Sequence, residues 1–351
     1  MQQPAPLPEH RLGQLDGLRG LAACAVGLLF HARVMYGDAP NPLAGVPVAG
    51  WLQIHGWAFV DLFFVLSGFV FAHTYMAGWQ LRPGMTARQF WLARIARLWP
   101  LHLAMLAFTV LLLRSEQSTN PANVLLSALM LQVLVDNPTE VLNGPAWSLS
   151  VEMFAYGLFL LAALTRPALF KAVALAAIVW GAWDIWTHGV WDALIGRGLL
   201  GFFLGVLVQR NLPLLSRLPV WLLAPAVLIP ALIPPAGQAL LLTVLLAWPA
   251  AILLALRLPL LQAPVMLWLG DRSYAIYLIH LPLRELWLAL YGQLGSSPGT
   301  VVLGHAAFIA VTLALAELAY HLVEVPGRRA IRQWRRARGT KEGLSKPAEI
   351  A

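Results

Sequence analysis

Apolar residues along this chain come in long unbroken blocks, not in the alternation of a strand or the single stripe of a surface helix. A membrane-crossing helix needs roughly 20 mainly apolar residues. Blocks of about that length cover 17–36, 57–77, 91–113, 146–165, 168–187, 191–209, 218–235, 238–256, 264–290 and 300–323. The pattern predicts an all-α, polytopic membrane bundle of about ten transmembrane helices. The block 122–135 is shorter and reads as an interfacial or re-entrant helix. No tandem repeat, soluble domain or long linker interrupts the series. The chain divides into a segment 1–14, a membrane domain 15–326 and a basic tail 327–351.

Composition supports a bilayer as the solvent. Of 351 residues, 59% are hydrophobic and 11% charged, where soluble domains carry roughly 25% charged residues. The formal charge of +8 sits mainly between the apolar blocks and in the tail. With ten spans, Arg82, Arg88, Arg166, Lys171, Arg210, Arg217, Arg257 and the tail share one side. The opposite loops, 37–56, 114–145, 188–190 and 291–299, carry only Arg114. The positive-inside rule then places both termini in the cytoplasm, and the expected location is the cytoplasmic (inner) membrane. This distribution points to topology and to contact with lipid head groups, and argues against nucleic acid. The single cysteine, Cys24, allows neither an internal disulfide nor a cysteine metal cluster, and no metal is expected. Leu21–Cys24 resembles a lipoprotein cleavage box, but the apolar run follows the box instead of preceding it. That run is also too long for a cleaved signal peptide.

Ionisable groups inside membrane helices are costly and are candidates for function. Here they are Arg19, His31, Asp61, Arg94, Arg97, Glu152, Asp184, His280, Glu285 and Glu317. By residue count His31 lies roughly 8 Å inside the outer face. Asp61 and Glu152 enter at similar depth, and His280 lies deeper. The expectation is that two imidazoles and two carboxylates from four helices meet in the outer half. Arg19, Arg94 and Arg97 mark the cytoplasmic side. Histidine suits general-base work on a hydroxyl, and a carboxylate can fix its tautomer. Arginine forks hold phosphates. Arg19 and His31 are roughly 18 Å apart along a helix, comparable to an extended pantetheine arm. A coenzyme A with phosphates on the arginines would thus present its thioester near His31.

Five blocks carry a further signal. They are Leu15-Asp16-Gly17-Leu18-Arg19-Gly20 with His31, Val60–Phe69, Phe90–Pro100, Ala146–Glu152 and Ser273–Pro282, followed by Glu324-Val325-Pro326. In this order, over residues 11–330, the chain resembles the acyltransferase 3 family of membrane O-acyltransferases. The resemblance implies transfer of an acyl group, commonly acetyl, from cytoplasmic acyl-CoA to a carbohydrate or similar acceptor beyond the membrane. It implies His31 as the central catalytic residue, and donor handling by Arg19, Arg94 and Arg97. It also suggests the stand-alone type without an appended hydrolase-like domain.

With these go Glu152 and Asp61 as catalytic candidates, and Trp147, Ser148, Ser67 and His280 as substrate-site candidates. Plainer readings stand beside them. His280 precedes Pro282 and would also serve to satisfy backbone freed at a kink. Asp61 and Glu152 would also suit a helix N-terminal half. The arginines would serve as topological anchors and Trp147 as a belt residue. Ser67 and Gly68 suit close helix packing. A transporter or flippase is the competing function, although repeats typical of that class are absent from the sequence.

Overall fold

The computed structural model describes residues 11–113, 120–134, 142–331 and 333. Arg114, most of the basic tail and the first ten residues lie outside them. In chain order the helices are α1 (Gly13–Tyr36), α2 (Pro47–Tyr75), α3 (Ala87–Leu112), α4 (Pro121–Ala128), α5 (Gly144–Ala163), α6 (Pro167–His188), α7 (Leu194–Arg210), α8 (Val220–Ala231), α9 (Ala239–Ala255), α10 (Pro264–Tyr291) and α11 (Pro298–Ile331). Between α2 and α3, Met76–Ala77 pairs antiparallel with Gln80–Leu81.

Six of these helices, α1, α2, α3, α5, α6 and α11, are long and apolar enough to cross a membrane. The apolar blocks predicted about ten. The other four predicted segments are helical, but three of them, α7, α8 and α9, do not exceed 17 residues. Pro225 and Pro230 lie inside α8. The fourth, α10, runs for 28 residues but carries Asp271, Arg272, Arg284 and Glu285. The helix α4, within the block read as interfacial, has eight residues, which gives a length of roughly 12 Å.

Local chemistry sets several boundaries. Thr86 and Gln89 form a reciprocal capping box that starts α3 four residues before the apolar block. In α2, Pro47 opens the helix and a turn of 3₁₀ helix at Gly56–Ala58 carries it into Phe59–Tyr75. The helix thus begins ten residues before the predicted segment. In α1, regular α-helix ends at Cys24. Ala25–Phe30 is π-helical and His31–Tyr36 is 3₁₀. Such changes of winding recur at functional sites, and this one ends at His31.

Small residues bring the backbones together, as expected between membrane helices. A Cβ on Gly68 of α2 would lie 1.8 Å from the Phe202 carbonyl oxygen of α7. A Cβ on Gly270 of α10 would lie 2.4 Å from the Asp16 carbonyl oxygen of α1. Neither site accepts a side chain. Around the α2–α7 seam, Phe71, Phe90, Phe159 and Phe202 form a buried cluster of edge-on rings. These contacts fix α1, α2, α3, α5 and α10 around one internal cavity.

Candidate active site

The cavity has a volume of about 390 Å³, within the usual range for small-molecule sites. Its lining includes a cationic group, Arg11, Arg19, Arg94 and Arg97, together with Ser148 and, next to His280, Tyr277. Four guanidinium groups face two carboxylates, Asp16 and Glu152. Arg19 pairs with Asp16 at 3.0 Å and donates to the Ser273 hydroxyl and the Gly270 carbonyl at 2.9 and 2.8 Å. Arg94 donates to the Tyr75 hydroxyl at 2.6 Å and lies over the Phe71 ring. Arg97 lines the cavity with no hydrogen-bond or ion-pair partner among the described residues. It is a cation facing an internal space, placed to receive an anion.

Glu152 lines the same cavity. Its carboxylate accepts from the Tyr156 hydroxyl at 2.8 Å, and Tyr156 is 3.2 Å from the Ser67 hydroxyl. Ser148, Glu152 and Tyr156 follow one another at i, i+4 and i+8. They therefore share one face of α5, and all three line the cavity. The expected meeting of two imidazoles and two carboxylates does not occur. Residue counting gives height along a helix but not rotation, and rotation turns Glu152 toward the arginines.

The two histidines do meet. His31 Nδ1 and His280 Nε2 are 2.8 Å apart, with the rings stacked at a 16° interplanar angle. The other ring nitrogen of His280, Nδ1, is 3.1 Å from the Ile276 carbonyl oxygen. A carbonyl only accepts, so His280 Nδ1 carries the hydrogen. In neutral His280, Nε2 then accepts, and His31 Nδ1 must be the donor. This leaves the lone pair of His31 on Nε2, the arrangement a general base requires. His280 is therefore not needed to satisfy the kink at Pro282. The carbonyl that Pro282 leaves free, Leu278, accepts from Asn143 Nδ2 at 3.1 Å.

Neither imidazole is itself among the cavity-lining residues, and Tyr277 adjoins both the cavity and the imidazoles. Its ring lines the cavity and lies 5.9 Å from that of His280, and its hydroxyl is 3.0 Å from Ser148 Oγ. Arg284 reaches the same neighbourhood, donating to the His31 carbonyl at 3.3 Å and pairing with Glu285. Gly27 lies directly against His280. A Cβ there would come within 2.9 Å of the His280 Cγ. Gly27→Ala is expected to displace the imidazole and lower acyl transfer more than tenfold while the protein still accumulates, since overpacking typically costs about 1–3 kcal/mol. Gly45→Ala, with open space around it, is the control. Equal rates for the two variants in a transfer assay would show that the His280 position is not critical.

Asp61 is engaged elsewhere. It forms a two-pronged pair with Arg197 of α7, Nε to Oδ1 at 3.0 Å and NH2 to Oδ2 at 2.8 Å, both side chains almost wholly buried. The Arg197 NH1 donates to the Val190 carbonyl at 2.9 Å. The guanidinium is flanked by Trp57 and Trp147, so Trp147 covers an ion pair. Asp184 likewise contacts His188, and Glu317 pairs with Arg272. Among the described residues, no group of three or more His, Cys, Asp or Glu side chains is placed to hold a metal ion.

Sequence reading missed Arg197, Tyr156, Tyr277 and Asn143. Arg197 had a signal, since it is an arginine inside an apolar block. Tyr156 and Tyr277 had weaker ones, lying four residues after Glu152 and three before His280.

A helical membrane domain with a cationic internal cavity beside a paired imidazole defines a membrane-embedded group-transfer enzyme. Residues 12–320 match the family model described as an acyltransferase domain, Acyl_transf_3, and the chain belongs to this acyltransferase 3 family. It is 28% identical to acyltransferase MdmB of Streptomyces mycarofaciens, over 92% of each chain. It is 41% identical to protein 2 in the picA locus of Rhizobium radiobacter, over 28% of this chain and 44% of that protein. It is 29% identical to the peptidoglycan O-acetyltransferase OatA of Listeria monocytogenes, over 28% of this chain and 13% of that one. No solved structure matches. The chain is thus a membrane enzyme that transfers acyl groups.

Proposed function

We propose that the enzyme moves an acyl group, in the simplest case acetyl, from cytoplasmic acyl-CoA to a hydroxyl of a carbohydrate or glycosylated acceptor on the far side of the cytoplasmic membrane. The observation that carries this reading is the His31–His280 pair beside a cavity lined by four arginines. The names of MdmB and OatA support the acyl-transfer part, and OatA the choice of a carbohydrate acceptor. In this reading the donor phosphates lie against Arg97, Arg94 and Arg19, and the pantetheine arm runs along the cavity toward Tyr277. His31 Nε2 takes the proton of the acceptor hydroxyl as its oxygen attacks the thioester carbonyl. The C–O bond forms, the C–S bond breaks, and the thiol of coenzyme A leaves. His280 holds the tautomer and shares the charge of the imidazolium. Glu152, hydrogen-bonded to Tyr156 beside the arginines, orders the cationic lining.

Arg97→Ala tests donor placement. Loss of a charge-assisted phosphate contact costs about 1.5–3 kcal/mol, which corresponds to a rise of about ten- to hundredfold in the KM for acyl-CoA. Arg94→Lys is expected to raise KM as well, because lysine keeps the charge but loses the fork. Steady-state kinetics in detergent would show this, and an unchanged donor dependence in both variants would return the arginines to topological anchoring. The orientation with both termini cytoplasmic is part of the proposal. A reporter fused after Arg166 should read cytoplasmic, and a reading from the far side would reverse the assignment.

A further inference from the structure

Outside the cavity, another buried histidine packs against the helix that carries His31. His305 of α11 is 5% exposed. Its Nε2 lies 2.6 Å from the Leu28 carbonyl oxygen, and its Nδ1 lies 2.8 Å from the Tyr36 hydroxyl. The Leu28 carbonyl only accepts, so Nε2 carries the hydrogen and Nδ1 of the neutral ring accepts from the Tyr36 O–H. The Tyr36 oxygen in turn accepts from Gln53 Nε2 at 2.8 Å, and the Gln53 carbonyl oxygen accepts from Asn41 Nδ2 at 2.8 Å. Tyr36 and Gln53 are fully buried. The directions agree at every link, so the network has one arrangement.

Its attachment points matter more than its length. Leu28 lies three residues before His31 and Tyr36 five after it. Leu28 lies in the π-helical turn and Tyr36 closes the 3₁₀ turn. Where bonding changes from i→i+5 to i→i+3, carbonyls outnumber the N–H groups that reach them. A carbonyl freed inside a membrane domain needs another donor. His305 supplies it at Leu28 and grips the far end of the same segment through Tyr36.

We infer that His305 is a positioning residue for His31: it holds the irregular turn of α1 from both sides and so sets where the His31 imidazole stands relative to His280 and the thioester. The inference rests on the proposed role of His31 as base. Because His305 touches the chain bracketing the base and is not among the cavity-lining residues, its removal should act on turnover and not on donor binding.

The test is steady-state transfer from acetyl-CoA by purified enzyme, with His305→Leu, His305→Gln, His305→Asn, Thr312→Val and His31→Ala compared. His305→Leu should lower kcat at least tenfold with the KM for acetyl-CoA within twofold of the parent. His305→Gln, whose terminal amide nitrogen can still reach the Leu28 carbonyl, should recover most of the rate. His305→Asn, which can reach only Tyr36, should recover less. If His305→Leu does not fold, the order of Gln above Asn decides. Thr312, buried on the same helix and bonded only to the Phe308 carbonyl, should tolerate valine without change in kcat. A parent-like kcat in His305→Leu, or equal rates for Gln and Asn, would overturn the inference while His31→Ala remained inactive. Activity in His31→Ala would overturn the base assignment and this inference together.

Discussion

Replacing Asp61 by alanine is expected to prevent the protein from accumulating in folded form. The reason is the partner that remains. Arg197 is 1% exposed and the Asp61 side chain fully buried, so the variant leaves a guanidinium in an apolar interior with two donors unsatisfied. Breaking such a pair from one side typically costs about 3–5 kcal/mol, a large share of the roughly 5–15 kcal/mol that holds a domain folded. Replacing both partners with apolar groups of similar volume is often neutral. Asp61→Leu combined with Arg197→Met should therefore restore much of the folded yield that Asp61→Ala loses, as read by fluorescence-detected size-exclusion chromatography. A monodisperse, fully expressed Asp61→Ala variant lacking transfer would instead place Asp61 in the chemistry.

His31→Ala should have the opposite character, normal folded yield and almost no transfer. The side chain is partly buried, and its imidazole bonds only to His280, whose Nδ1 stays bound to Ile276 without it. General-base assistance contributes about 10²–10⁴-fold, and a loss in kcat of that order is expected at an unchanged KM for acyl-CoA. His280→Ala should cost less, since it removes the group that orients the base and not the base itself. Turnover near that of the parent in well-folded His31→Ala would remove the proposed base.

The apolar blocks located nearly every helix because bilayer length is written directly into composition. Of the ten segments, six form helices long and apolar enough to cross a membrane; hydropathy does not register that α7 and α9 stop at 17 residues, or that two prolines lie inside α8. Boundaries set by specific side chains, such as the Thr86–Gln89 box, fell outside an apolarity argument. As candidates, Arg19, Arg94, Arg97, His31 and His280 were legible because a charge or an imidazole in lipid demands an explanation. Their grouping was less so. Whether Glu152 faces the histidines or the arginines is a matter of helix rotation, and whether Asp61 is free depends on Arg197, 136 residues away in sequence. The bracket of His31 by His305 arises from a change of helix winding that no periodicity in the sequence announces.

In the proposed mechanism His31 Nε2 activates an acceptor hydroxyl against a thioester delivered through the arginine-lined cavity. Inverted membrane vesicles with the cytoplasmic face outward, given radiolabelled acetyl-CoA, measure it directly. The parent should place label on envelope carbohydrate. Arg97→Ala should do so only at raised donor concentration, and His31→Ala at none. Label incorporated equally by all three, or by none while the thioester is still consumed, would contradict the account.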